Sequence, residues 1–368
     1  MTDAIAAIST IAADTSFAAF ASGWRSGEAS VTASSTAVLS ASSARTSAIA
    51  RTRTAHSSAV MRSHAASAIT AAPIAISICA LRCVRIKYEM PSSAKPKERS
   101  RLTLPSVADI GILPRNAVAR RLNRELFMVL GGSAAVLMQV AHPLVAAGVD
   151  QHSDFRRDPL GRLHRTLNTT LDAVFGDTQR ARRAMRRIDQ RHAGVKGQAT
   201  DGRGYRARDP QLLLWVQTTL VLTSLRWFEL VAGRLPAPER QSYWDEAKIF
   251  ANTLGVPPDL FPPTIGELER YERDMLDTAV APDATSRAVA RDVVHPFAFL
   301  PNAVYWPTDV ITAGMLPPSL RRAFGLRWGT RERLFFRFVV HALRLLRVLV
   351  PTRLASVPHA RMYDRRVG

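Results

Sequence analysis

From about residue 115 to the C-terminus, apolar residues recur at the spacing of one helix face. The recurrences are punctuated by helix-start and helix-stop residues, and no two well-separated alternating strands occur among them. This restricts the chain to an all-α fold: a single globular multi-helix domain of roughly eight to ten helices, without internal repeat. At 368 residues and 47% hydrophobic, the chain is large enough to bury a substantial core.

Residues 115–130 place Val118, Leu122, Leu126, Val129 and Leu130 on one helical face, and Gly131-Gly132 ends that run. Ser133 then offers a cap for a helix through Ala141 that is apolar all round and therefore buried. Asp158-Pro159 opens a helix reaching Phe175, with Asp as cap, Pro in the first turn and Gly176 as terminator. A strongly basic helix follows over 178–192, then a glycine-marked loop, and Asp209-Pro210 starts a long apolar helix over 211–231. Helices are also expected over 237–254, 264–279, 301–314, 318–324 and 331–350.

Residues 1–90 differ in kind, being rich in Ala, Ser and Thr with only four carboxylates, Asp3, Asp14, Glu28 and Glu89. Such a composition buries too little apolar surface to offset chain entropy, so disorder is the expectation. Scattered Arg with little acid resembles a transit peptide; a start codon placed upstream of a natural Met90 is the favoured account. Residues 91–114 read as a linker and 115–360 as the domain. Cys79 and Cys83 are the only cysteines, which speaks against a disulfide scaffold, a Cys-rich zinc site or an iron–sulfur cluster and fits a reducing, cytoplasmic setting. The net charge of +20 admits a nucleic-acid or anionic-membrane partner, but no nucleic-acid-binding motif is present. No nucleic-acid partner is expected; oligomeric state is left open.

No phosphate-binding loop, Glu-x-x-His pair, His-Glu-x-x-His run or Gly-x-Ser-x-Gly elbow occurs, so the candidate chemistry rests on histidines and charged groups on helices. Arg162, Arg165 and Thr166 share a helix face by their i, i+3, i+4 spacing, where they could pair an anion in a pocket or form a solvated basic surface. His192 could be an axial imidazole for a haem iron or a histidine favoured by its helix C-terminus. His142 could line a pocket or bind a cofactor, or bond a backbone group near Pro143. His152 and Asp154 could join it in a non-haem metal site, or could form a capping turn. The last long helix, 331–350, is both basic and apolar, and could be a core helix or a peripheral membrane contact.

Taken jointly, several segments resemble the MpaB-like / latex-clearing-protein oxygenase family. They are Gly131-Gly132, the run from Gln139 through Val149, His152 through Leu163, Phe175-Gly-Asp, His192-Ala-Gly-Val-Lys-Gly197, Tyr205 through Val216, Tyr243-Trp, Leu254 through Pro257 and Thr312 through Pro318. The resemblance covers roughly residues 115–360. It implies a globin-like helical arrangement and, in the latex-clearing branch, haem b and oxygenation of an unsaturated hydrocarbon by dioxygen. That branch carries an Arg-x-x-Lys-Thr run, which Arg162 and Thr166 match while Arg165 replaces the Lys. His192 stands where the axial His is expected, and Gln217 stands where many relatives read His. An Arg stays charged and is a poor iron ligand, so the sixth position is then open or differently filled. The reading is an oxidoreductase acting on an apolar small molecule, with His192 as iron ligand, His142 and Arg162 at the cofactor, and Arg162, Arg165 and Thr166 as the polar catalytic wall. A haem-free helical lipid- or terpenoid-binding protein is the alternative.

Overall fold

The computed structural model describes residues 109–368, so the 1–90 extension and residues 91–108 of the linker lie outside the described residues. The described residues form the α-helices α1 (Val118–Arg124), α2 (Gly132–Val140), α3 (Pro143–His152), α4 (Pro159–Phe175) and α5 (Thr178–Gly194). A two-stranded antiparallel hairpin follows, β1 (Lys196–Gln198) with β2 (Gly204–Arg206). Then come α6 (Pro210–Ala232), α7 (Ala237–Thr253), α8 (Ile265–Thr278), α9 (Ala284–Val294), α10 (Asn302–Met315), α11 (Pro318–Ala323), α12 (Thr330–Leu349), α13 (Thr352–Ala355) and α14 (Pro358–Val367). The fold is all-α, as expected, though the 14 helices among the described residues exceed the number read from periodicity.

Helix α6 is the centre of the core. Trp215, Trp227, Val221, Leu222 and Leu225 are buried on it, and α2, α7, α8 and α12 pack around it. The buried indoles keep partners, as a low-dielectric interior requires: Trp227 donates to the Phe127 carbonyl at 2.8 Å. Helix α2 is buried as its all-round apolar sequence implies, with Ala134, Leu137 and Val140 inaccessible. No single helix among the described residues is long and apolar enough to cross a membrane. The segment 126–140 and α3 qualify only as a pair, bent by 111° between them.

The helix starts follow their caps. Asp158 accepts from Gly161 N–H, Asp209 from Gln211 and Leu212 N–H, and Thr264 with Glu267 forms a reciprocal capping box. Four expectations need correction. The helix expected over 115–130 stops at Arg124, because Glu125 turns extended and bridges Ser356 while Val357 N–H bonds the Arg124 carbonyl. Ser133 caps nothing, since α2 starts at Gly132 and the Ser133 hydroxyl lies 2.6 Å from that of Thr312. The glycine-marked loop contains the β1–β2 hairpin. Helices α3, α9, α13 and α14 form where no helix is expected.

Where α10 crosses α12, Gly314 lies against the Phe336 ring so closely that a Cβ would collide with it. Gly314→Ala is therefore expected to destabilise the fold by about 1–3 kcal/mol through overpacking, read as a lowered denaturant midpoint. An unchanged midpoint would show that Phe336 can rotate away.

Candidate active site at the α4–α5 hairpin

Helices α4 and α5 are joined by Gly176-Asp177 and pack on each other more extensively than any other pair of described elements. Asp177 caps α5 at Arg180 N–H, and Arg366 from α14 donates to the terminal Phe175 carbonyl of α4 at 2.9 Å. The hairpin returns the end of α5 to the start of α4, so Arg162 comes under the influence of Arg191.

On α5 the arginines take the outer side. Ala181, Ala184 and Met185 are buried, Ile188 packs beside them, and His192 continues that inner stripe at helical spacing. Its Nδ1 is buried without a hydrogen-bond partner. Burial holds the His192 pKa below the ordinary imidazole value, helped by Arg208 and opposed by Asp189. Those two residues form a bidentate pair at 3.0 and 2.7 Å, tying the last turn of α5 to the segment that leads into α6.

Arg162 is half-buried, and its charged neighbours, Arg165 and Arg191, are both cations. Desolvation and those like charges lower its pKa, which favours a nearby anion. Arg165 and Thr166 share the expected face but are exposed, and Arg165 is engaged by Asp158 at 2.9 Å. Leu160 and Leu163, at 48% and 41% exposure, present apolar surface along the same half of α4.

His142 is buried and caps α3, its Nδ1 accepting from Leu144 N–H at 3.3 Å. With Nδ1 accepting, the neutral imidazole carries its proton on Nε2 and can donate from there. Its charged neighbours are Arg203 and Asp209. His152 is exposed and its Nε2 lies 3.1 Å from the Lys196 carbonyl. Among the described residues no group of three or more His, Cys, Asp or Glu side chains could hold a metal ion, so His142, His152 and Asp154 do not make one. Gln217 donates to the Ala247 carbonyl at 3.3 Å and links α6 to α7.

Two features escaped the sequence. His295 Nε2 lies 3.0 Å from both Asp309 oxygens, with the imidazole stacked on Tyr305 at 4.6 Å. His359, almost fully buried, sits 3.6 Å from Asp172 with both ring nitrogens unbonded. A cavity of about 180 Å³ lies there, beside one of about 390 Å³ lined by Asn168, Asp172, Arg180, Arg183 and Arg187, toward the Gly176 turn. The partners lie on different helices or segments, and no local signal announces them.

Comparison with known proteins gives this geometry its context. No solved structure matches the chain. Two curated relatives, an uncharacterised protein of Mycobacterium bovis and one of Mycobacterium tuberculosis, are each 31% identical over 230 residues, spanning 60% of this chain and 89% of the relative. The family model described as "ER-bound oxygenase mpaB/B'/Rubber oxygenase, catalytic domain" matches residues 119–345, from α1 into α12 and across the whole α4–α5 hairpin. The chain thus belongs to the mpaB/rubber oxygenase catalytic-domain family and is an oxidoreductase of the oxygenase type.

Proposed function

We propose that this oxygenase works with haem b and dioxygen on an apolar small molecule, with His192 as the protein ligand to iron. The observation that carries the reading is the His192 imidazole, kept neutral by burial and left with an unbonded, buried Nδ1 at the end of an apolar stripe. A haem needs only one such donor from the protein, whereas a bare metal needs a cluster that the described residues lack. The residues fit the group in a second respect. Arg162 is a half-buried cation among cations, suited to pairing a carboxylate such as a haem propionate.

Haem, when bound, supplies the dioxygen chemistry; the protein supplies ligand, orientation and dryness. His192 presents an unprotonated nitrogen at neutral pH. The Arg208–Asp189 pair holds the turn that carries it. Arg162 would pair the anionic edge of the group, and Leu160 and Leu163 would offer the apolar surface for a hydrocarbon-like substrate. Arg165, held by Asp158 and without a lone pair, would not serve as an iron ligand. Thr166 would offer a hydroxyl beside Arg162 and Arg165 on α4, and His142 an Nε2–H donor.

The visible spectrum of the purified full-length chain tests this. A Soret band is expected in the wild type, and its loss is expected in His192→Ala. A chain that stays colourless after incubation with haemin, or a band untouched by His192→Ala, overturns the assignment.

A further inference from the structure

Helix α12 has two apolar sides. Its inner side is ordinary: Phe336 and Val340 are buried against α6 and α10, and Arg344 donates to the Leu230 carbonyl at 3.0 Å. Its outer side should be polar in a helix that ends at water. Instead Leu334, Phe338, Leu345, Val348 and Leu349 are 58% exposed or more, with Leu354 continuing just beyond. With the exposed His341 they recur every three to four residues, which makes one stripe along the helix. Scattered exposed leucines need no explanation, but a continuous stripe of this kind marks a contact surface.

The charge around the stripe identifies its partner. Residues 327–353 contain seven arginines and one carboxylate, Glu332, and of those arginines Arg347 is paired with Glu125 at 3.2 Å. That carboxylate is buried and occupied in capping, accepting from Gly329 N–H at 2.8 Å. Aromatic groups gather at the start of the helix: Phe335 lies 4.5 Å from Trp306 and 6.3 Å from Phe338, with Arg331 over Trp306 at 4.4 Å. An apolar stripe edged by arginine and ended by aromatic rings suits the boundary between acyl chains and anionic headgroups. So many arginines also forbid α12 from crossing the bilayer.

We propose that α12 docks this protein on an anionic phospholipid surface, lying in the interface with its outer stripe immersed. Other occupants fit less well. A second copy would bring two arginine-edged faces together, since a twofold contact joins the same patch of each chain. Residues 1–108 carry twelve Lys and Arg against five Asp and Glu, so they too would meet the stripe with like charge. The proposal is independent of the haem reading.

Co-sedimentation of the full-length protein with vesicles tests it, using phosphatidylcholine alone and phosphatidylcholine with phosphatidylserine. The wild type is expected to bind the serine-containing vesicles at least about tenfold more tightly, and to be released by salt. Phe338→Ser with Leu345→Ser is expected to weaken that binding by at least about tenfold while leaving the melting temperature unchanged, because both side chains are exposed. Failure of the wild type to bind, equal binding to both vesicle types, or equal binding by the double variant overturns the proposal. So does a wild-type dimer that becomes monomeric in the double variant without lipid, which would assign the stripe to a second copy.

Discussion

Glu272→Ala is expected to cost about 3–5 kcal/mol of folding free energy, because it strands a charge inside the protein. Arg226, in the middle of α6, forms a two-pronged pair with the Glu272 carboxylate of α8: Nη1 donates to Oε1 at 2.8 Å and Nη2 to Oε2. The Glu272 side chain is only 3% exposed and that of Arg226 21%. The pair is weak evidence for stability as such, since desolvating two ions offsets most of their attraction. Its removal by halves is different. Without Glu272 the guanidinium keeps its desolvation penalty and loses its partner, at the place where α8 meets the central helix. Arg226→Met combined with Glu272→Met should recover most of the loss, because neither charge then remains to be buried. Denaturant unfolding of the three proteins decides the matter. A cost below about 1 kcal/mol for Glu272→Ala would place the pair among solvated surface bridges.

The Arg226–Glu272 pair also shows what the sequence could not reveal. Elements with local causes were legible: the Asp158-Pro159 and Asp209-Pro210 starts define α4 and α6 because the capping carboxylate lies within three residues of the N–H groups it accepts. Elements decided by distant partners were not. The 115–130 run has a helical period throughout, yet Ser356, far along the chain, pulls Glu125 into a bridge. The first turn of α1 is capped by Glu246 of α7, which accepts from Val118 and Ala119 N–H at 2.9 and 2.7 Å. Helix α9 did carry a local signal, Asp283 accepting from Ser286 N–H, but its apolar period is short.

The candidate site divides in the same way. Helical spacing put Arg162, Arg165 and Thr166 on one face, and they share it; spacing does not say how deeply each sits. Only Arg162 is half-buried, while Asp158, one cap position before the helix, draws Arg165 toward solvent. The inner position of His192 was legible, since Ala181, Ala184, Met185 and Ile188 mark the apolar stripe that it continues. The loss of its Nδ1 to solvent was not, because that depends on what packs over the end of α5.

Acidification below about pH 6.5 is expected to destabilise the fold above the window in which carboxylates of ordinary or lowered pKa are protonated. Three histidines, His142, His192 and His359, are held below the ordinary value of 6.5, in each case chiefly by burial. Above that value the imidazoles are neutral in both folded and unfolded chains, and contribute no pH dependence. As the pH falls through it, the unfolded chain takes up protons that the folded chain refuses, so unfolding becomes easier until the folded values are reached. Each unit of depression is worth about 1.4 kcal/mol when fully expressed, and the three sites add because each titrates in its own surroundings. His359 should contribute strongly: it is 5% exposed, both ring nitrogens lack partners, and Asp172 at 3.6 Å only partly offsets its desolvation. Carboxylates whose pKa is lowered, such as Asp158 beside Arg165, act in a separate window below about pH 4. The melting temperature should therefore fall between pH 7.5 and pH 5, less steeply in His359→Phe, whose ring cannot be protonated. A melting temperature that is flat or rises over that interval would mean the buried imidazoles find partners on protonation, and the neutral form assigned to His192 would lose its electrostatic basis.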